Sequence, residues 1–158
     1  MESFGRIVMM REINKEKLHQ LIEEKITEKI RKLENLITET RTSNNDTKSS
    51  MGDKYETGRE MLQQEINNLQ VQLNEVLKQQ HFLKTILVKG SEKAEKGALV
   101  KTGNGLFYLS VSSGEIIFEH QKIICISPES PLAKAMNGKK TKETFSVNNI
   151  SQSILEIW

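Results

Sequence analysis

Residues 62–87 read LQQEINNLQVQLNEVLKQQHFLKTIL, and the positions Leu62, Ile66, Leu69, Leu73, Val76, Gln80, Leu83 and Leu87 alternate four and three apart without a slip. That spacing keeps one stripe of a helix facing a second helix along its whole length. A matching apolar stripe lies upstream at Leu18, Ile22, Ile26, Ile30, Leu33 and Ile37. Between the two stripes, roughly Thr40 to Gly58, the chain is polar and carries Gly52 and Gly58. Two long helices joined by a short polar turn predict an antiparallel coiled-coil hairpin, a stiff rod with an exposed tip at about residues 42–58. The first helix is expected from near Asn14 to about Glu39, because TSNNDTKSS (42–50) is rich in turn and cap formers. The second is expected from Gly52 or Asp53 to Thr85.

The charge pattern agrees with such a rod and narrows the partners. Of 158 residues, 28% are charged and only 5% aromatic, with a net charge of +2. Residues 1–86 carry 14 basic and 14 acidic side chains, and the remainder 9 basic and 7 acidic. Backbone binding to nucleic acid needs a concentrated basic face, and no such excess is visible in the sequence. The alternating charges of Glu23, Glu24, Lys25, Glu28, Lys29, Arg31, Lys32 and Glu34 read as a solvated helix face with i,i+4 pairs. The apolar patch Ile7-Val8-Met9-Met10 is too short for a signal h-region, and no apolar run approaches membrane-spanning length. A cytoplasmic protein without membrane contact is expected. The single cysteine, Cys125, lies in the apolar run Ile123-Ile124-Cys125-Ile126 and reads as a buried strand thiol, incapable of an intramolecular disulfide.

After Gly90 the heptads stop. Short apolar runs follow at 98–100, 106–111, 116–118, 123–126, 145–147 and 154–158, separated by Gly103-Asn104-Gly105, Ser112-Ser113-Gly114, Glu119-His120-Gln121 and Asn148-Asn149. One helix interrupts them: Ser130 suits the N-cap, Pro131 the first helical position, and Gly138 the stop. The fold class is therefore α+β, a hairpin over 1–86 followed by a small antiparallel sheet domain with one short helix over 87–158.

Ordinary catalytic constellations are missing from this pattern. Gly103-x-Gly105 sits between strands, whereas a phosphate loop opens a helix. Gly138-Lys139-Lys140-Thr141 echoes the end of a Walker sequence, but Ala133 stands where its first glycine belongs; the lysines read as solvated. His19, His81 and His120 are far apart, without a second ligand at metal-site spacing, and read as surface or rod residues. Phe107, Phe118, Phe145 and Trp158 fall on apolar strands and are expected in a sheet core. At the tip, Asp46, Asp53, Glu56 and Glu60 are explained by turn capping and helix N-terminal charge. The competing reading is carboxylates that share a divalent cation with another molecule's ligands.

The string Ile126-Ser127-Pro128-Glu129-Ser130-Pro131-Leu132-Ala133-Lys134-Ala135-Met136-x-Gly138-Lys139-Lys140, with Ile154-Leu155-Glu156-Ile157 after it, resembles the C-terminal domain of the bacterial GreA/GreB transcript-cleavage factors. The order of hairpin and domain matches as well, so the resemblance covers nearly the whole chain. It implies an FKBP-like C-terminal domain that docks on RNA polymerase through Glu129, Ser130 and Pro131 while the coiled coil enters the secondary channel. In cleavage-competent members two tip acids help hold a magnesium ion at the polymerase's own active site. Anchored on Tyr55 and Arg59-Glu60, those acids correspond here to Lys48 and Met51, and Gly52 stands at the neighbouring amide position. Lysine and methionine do not ligate magnesium. The resemblance therefore implies a transcription factor, not itself an enzyme, that touches nucleic acid only indirectly, through the transcription complex. It has no cofactor of its own beyond Mg2+ shared with the polymerase, and its stimulation of cleavage is expected to be lost.

Three alternatives follow from the same residues. One is a cleavage-competent factor that uses Asp46 and Asp53. Another is a prolyl isomerase with a coiled-coil extension, which needs an aromatic-lined pocket. The third is a plain oligomerisation module; an internal hairpin satisfies both seams, so a monomer is expected.

Overall fold

A computed structural model describes residues 13–47 and 53–158, leaving aside the side chains of residues 46, 47 and 53–56. Two long helices, α1 (Lys15–Thr47) and α2 (Asp53–Lys84), precede strands β1 (Leu99–Thr102), β2 (Gly105–Leu109), β3 (Gly114–Phe118) and β4 (Gln121–Ile126). A short helix α3 (Pro131–Met136) and strands β5 (Thr144–Val147) and β6 (Ile150–Ile157) complete the order. Contacts divide the described residues into two compact units, one within Glu23–His81 and one combining those up to Ile22 with Phe82–Trp158. The sequence pattern places a boundary near residue 86; the contacts divide each long helix instead, because the first turns of α1 and the last of α2 are built into the sheet-bearing unit.

In the helical unit, Ile26, Ile30, Leu33 and Ile37 of α1 and Ile66, Leu73 and Val76 of α2 are buried. Ile37 and Thr38 line one cleft with Gln70 and Leu73, while Asn44 lines another with Arg59 and Gln63. Numbers rise along α1 as they fall along α2, so the helices run antiparallel. Their solvent faces carry local pairs, including a bidentate Arg31–Glu28 contact at 2.6–2.7 Å and amide pairs Gln63–Asn67 and Gln70–Asn74 at 3.1 Å.

Helix α1 is longer than its composition implies. Expected to stop near Glu39, it continues to Thr47. The hydroxyls of Thr38, Thr40 and Thr42 donate to the carbonyls of Glu34, Leu36 and Thr38 at 3.1, 2.7 and 3.0 Å. Side chains that compete with helix formation elsewhere are here satisfied within the helix itself. The far end of α2 departs from the heptad in a different way. Thr85 and Ile86 donate their N–H groups to the carbonyls of Phe82 and Leu83, three residues back, which tightens the final turn. Ile86 swings inward and is 6% exposed, whereas Leu87, the last heptad position, is 75% exposed.

The sheet order is β3-β4-β2-β1-β6-β5. Among the described residues its pairings are antiparallel except β2 with β4, which is parallel. The purely antiparallel sheet expected from the sequence is corrected at this one pairing. After β2 the chain passes out to the edge strand β3, and the β3–β4 hairpin then returns β4 alongside β2. Positive φ angles at Glu119 and His120, and at Asn148 and Asn149, mark the two-residue turns after β3 and β5.

Pairing register sorts the side chains onto two faces. Leu99, Tyr108 and Cys125 lie opposite one another in adjacent strands, as do Val100, Phe107 and Ile124. The second face meets Ala133 and Met136 of α3, with Phe145 and Ile154, in one core cluster. The first lies toward the helical base, where Leu18, Ile22, Leu83 and Ile86 are buried in the same unit. A sheet covered on both sides requires continuous apolar runs in its central strands, and β2 is such a run. No helix among the described residues is long and apolar enough to cross a membrane.

Candidate functional site

The sequence motif around Glu129 folds as a rigid turn. Ser127 Oγ accepts the Glu129 N–H at 3.1 Å, and the Ser127 carbonyl accepts the Ser130 N–H at 3.0 Å. Ser130 then caps α3: its Oγ accepts the Ala133 N–H at 3.2 Å, and its carbonyl accepts the Lys134 N–H at 2.9 Å. Pro131 occupies the first helical turn, where its missing N–H costs nothing. Ala133 and Met136 anchor the helix in the core at 1% and 0% exposure. The Glu129 side chain stands 84% exposed, 3.6 Å from Lys134 Nζ. An ion pair so exposed contributes little to stability, so the carboxylate is available to another molecule. The structure thus brings Glu129, Ser130 and Pro131 together on one inflexible turn.

At the other candidate, near the hairpin's turn, Asn44, Arg59, Glu60 and Gln63 line an open cleft of about 420 Å³. Arg59 Nε is shielded from solvent there and makes no hydrogen bond among the described residues. Lys48 and Met51 lie outside the described residues, as do the side chains of Asp46, Asp53 and Tyr55, so the tip's metal-binding reading rests on residues outside this description. No cluster of metal-ligating side chains is formed among the described residues.

Two residues near the start of α1 carry more than the sequence reading assigned them. His19 is not a surface residue: it is 5% exposed and sits edge-on to Tyr108, with ring planes at 85°. Its Nε2 lies 3.1 Å from the Leu83 carbonyl, which can only accept, so Nε2 carries the proton. Nδ1 then accepts the Tyr108 hydroxyl at 2.8 Å. Lys15 is 7% exposed, and its Nζ donates to the carbonyls of Lys89 at 2.6 Å and Trp158 at 2.9 Å. Burial pushes its ammonium down to about 8, against the opposing pull of Glu95. These partners are 64–143 residues away in sequence, beyond the range of any local pattern; a histidine and a lysine bordering the apolar Leu18 position were the available signal.

The Lys15 geometry has a measurable consequence. An unfolded lysine holds its proton to about pH 10.4, so between roughly pH 8 and 10 the unfolded chain binds more protons than the folded one. Stability must rise with pH across that window. The stability of the wild type relative to Lys15→Met is expected to increase by about 2 kcal/mol from pH 7.5 to 10. Urea unfolding followed by the fluorescence of Trp158, the sole tryptophan, measures it; a pH-independent difference contradicts the assignment.

No protein-family model matches the chain, and no curated protein matches it. Among solved structures the chain is similar to GreA factor homolog 1 (Gfh1) of Thermus thermophilus, at 16% identity and a TM-score of 0.36, with 86% of this chain and 94% of that one covered. It is similar to a second structure of the transcription factor Gfh1 at 17% identity and a TM-score of 0.36, covering 85% and 92% of the two chains. The Gfh1 of Thermus aquaticus follows at 16% identity and a TM-score of 0.34, with 85% and 92% covered.

Proposed function

We propose that this chain is a Gre-like transcription factor that docks on RNA polymerase through the Glu129-Ser130-Pro131 turn. Its antiparallel helical hairpin then enters the secondary channel and modulates transcription. The observation that carries the reading is the turn itself: the most family-specific string in the sequence folds as a doubly bonded, proline-fixed cap with an exposed carboxylate. A recognition element of this kind loses little conformational entropy on binding. The mechanism is occlusion by two helices, each about 10–12 Å across, rather than chemistry supplied by the factor. With Lys48 and Met51 at the positions of the family's tip acids, the chain brings no magnesium ligands there and does not stimulate transcript cleavage. The isomerase alternative is disfavoured because Phe107 and Phe145 are consumed by the core cluster against α3.

Immobilised core RNA polymerase should capture the wild-type protein. Glu129→Lys reverses the displayed charge without touching the cap, and should weaken capture at least about tenfold, as expected for a central charged contact. Equal capture of both proteins, or of neither, overturns the docking assignment. Release of short 3′ fragments from a backtracked complex, abolished by Asp46→Ala or Asp53→Ala, overturns the assignment of a cleavage-inactive tip instead.

A further inference from the structure

A cross-strand pair of like charges sits in the sheet-bearing unit. Lys93 and Lys140 form an isolated antiparallel bridge, held by Ala94 N–H to the Lys139 carbonyl and Gly138 N–H to the Ala94 carbonyl, both at 2.8 Å. Like charges placed directly opposite each other repel and destabilise the pairing. Lys139 and Lys142 flank the bridge. Lys142 adopts φ +76, a left-handed conformation that costs a side-chain-bearing residue about 1 kcal/mol or more. The bond from its N–H to the Ile154 carbonyl at 2.8 Å keeps it there. Of these four lysines only Lys93 has a carboxylate within 4 Å among the described residues, Glu95 at 3.9 Å; Glu92 and Glu143 adjoin the cluster in sequence and are exposed. The fold thus spends stability to bring together cations that are 47 positions apart, three of them without a carboxylate within 4 Å among the described residues. Conflicts of this kind, kept without a local gain, mark sites whose partner is another molecule.

We propose that Lys93, Lys139, Lys140 and Lys142 form a contact surface for the phosphodiester backbone of nucleic acid. The flat sequence distribution of charge argues against a basic face, but the bridge creates one by joining two segments. No base-reading group accompanies the lysines, so binding is independent of sequence and dominated by counterion release. This goes beyond the polymerase reading, since it places a direct nucleic-acid contact on the chain, and it is measured with no polymerase present.

The test is fluorescence anisotropy of a labelled duplex DNA of about 20 base pairs, titrated with the full chain at several potassium chloride concentrations. The wild type should bind with a dissociation constant of about 10⁻⁶–10⁻⁵ M at low salt and a log–log salt slope of about −3, corresponding to three or four phosphates. Lys140→Glu/Lys142→Glu should lower affinity at least about tenfold and flatten the slope to about −1, while Glu143→Gln tightens binding. Lys140→Gln/Lys142→Asn, whose asparagine tolerates positive φ, should flatten the slope in the same direction if the charge-reversed protein fails to fold. Lys29→Glu/Lys32→Glu, on the solvent face of α1, imposes the same change of net charge and should leave binding within about twofold. Absence of wild-type binding at low salt, an unchanged slope in the bridge variants, or equal loss in the α1 variant overturns the proposal.

Discussion

Truncating Leu83 to alanine lowers stability by about 3 kcal/mol, whereas the same truncation at Leu87 changes it by less than about 0.5 kcal/mol. Both residues occupy heptad positions four apart, and by sequence they are equivalent. Leu83 is fully buried and Leu87 is 75% exposed. Removing three carbon atoms at the fully buried position 83 forfeits their transfer energy and leaves a cavity, where relaxation is limited by close packing. Ile86→Ala should behave like Leu83→Ala, at about 2–3 kcal/mol, because Ile86 has taken the inward position that the heptad assigns to Leu87. Its Cγ2 lies 3.0 Å from where a Cβ on Gly97 would be built, so Gly97→Ala should be costly for the opposite reason, crowding instead of a cavity, compounded by φ +88 at that residue. Chemical denaturation followed at Trp158, half-buried in the sheet-bearing unit, ranks these variants. Equal losses at Leu83 and Leu87 would restore the uninterrupted heptad and contradict the tightened end of α2.

The comparison of Leu83 with Leu87 shows where periodicity stops being informative. Within the body of each helix the apolar stripe is a direct consequence of 3.6 residues per turn, and every position from Leu18 to Ile37 that it selects is buried. On α2 the stripe is looser, with Leu62, Leu69 and Gln80 half-buried. At the helix ends the hydrogen bonding changes from four-residue to three-residue steps, and the pattern loses its phase. Five of the six strands were legible to within about two residues, because most of their bounding turns use glycine or asparagine for steric reasons that act locally; β6 starts at Ile150, four residues before the expected run at 154–158, because its first half is polar. Ser130, Pro131 and Gly138 were legible on the same grounds. The parallel β2–β4 pairing was not: strand direction in a sheet is set by the path of the connection, and β3 carries no mark that it lies at an edge. Helix α1 outran its composition because threonine hydroxyls that favour caps also bond back to the preceding turn. The candidate docking turn was therefore readable residue by residue, whereas the Lys93–Lys140 bridge and the Lys15 and His19 contacts join segments that only the fold brings together.

His19→Leu should cost about 2–3 kcal/mol, Tyr108→Phe about 1–2, and the double substitution distinctly less than their sum. Leucine fills much of the imidazole's volume, so the loss is chiefly polar. It deprives the Tyr108 hydroxyl of an acceptor at 2.8 Å and the Leu83 carbonyl of a donor at 3.1 Å. That carbonyl keeps the Ile86 N–H at 3.2 Å, which confines the larger part of the penalty to the tyrosine side. Tyr108→Phe removes the hydroxyl and leaves the edge-on ring contact in place, with centroids 6.1 Å apart, so the smaller figure applies. A double-mutant cycle measures the coupling of the two side chains, the hydrogen bond together with the edge-on ring contact that leucine also removes. A coupling energy near zero would show that the two residues are merely neighbours. A coupling of about 1 kcal/mol or more would show that the buried His19–Tyr108 contact helps fasten the first turns of α1 to the centre of the sheet. The bond joins the element that opens the hairpin to the strand at the middle of the β domain, residues 89 positions apart. Tyr108→Phe should therefore loosen protection of the α1 amides near His19 in hydrogen exchange before it lowers that of the β1–β2 amides, since local opening follows the weakest attachment.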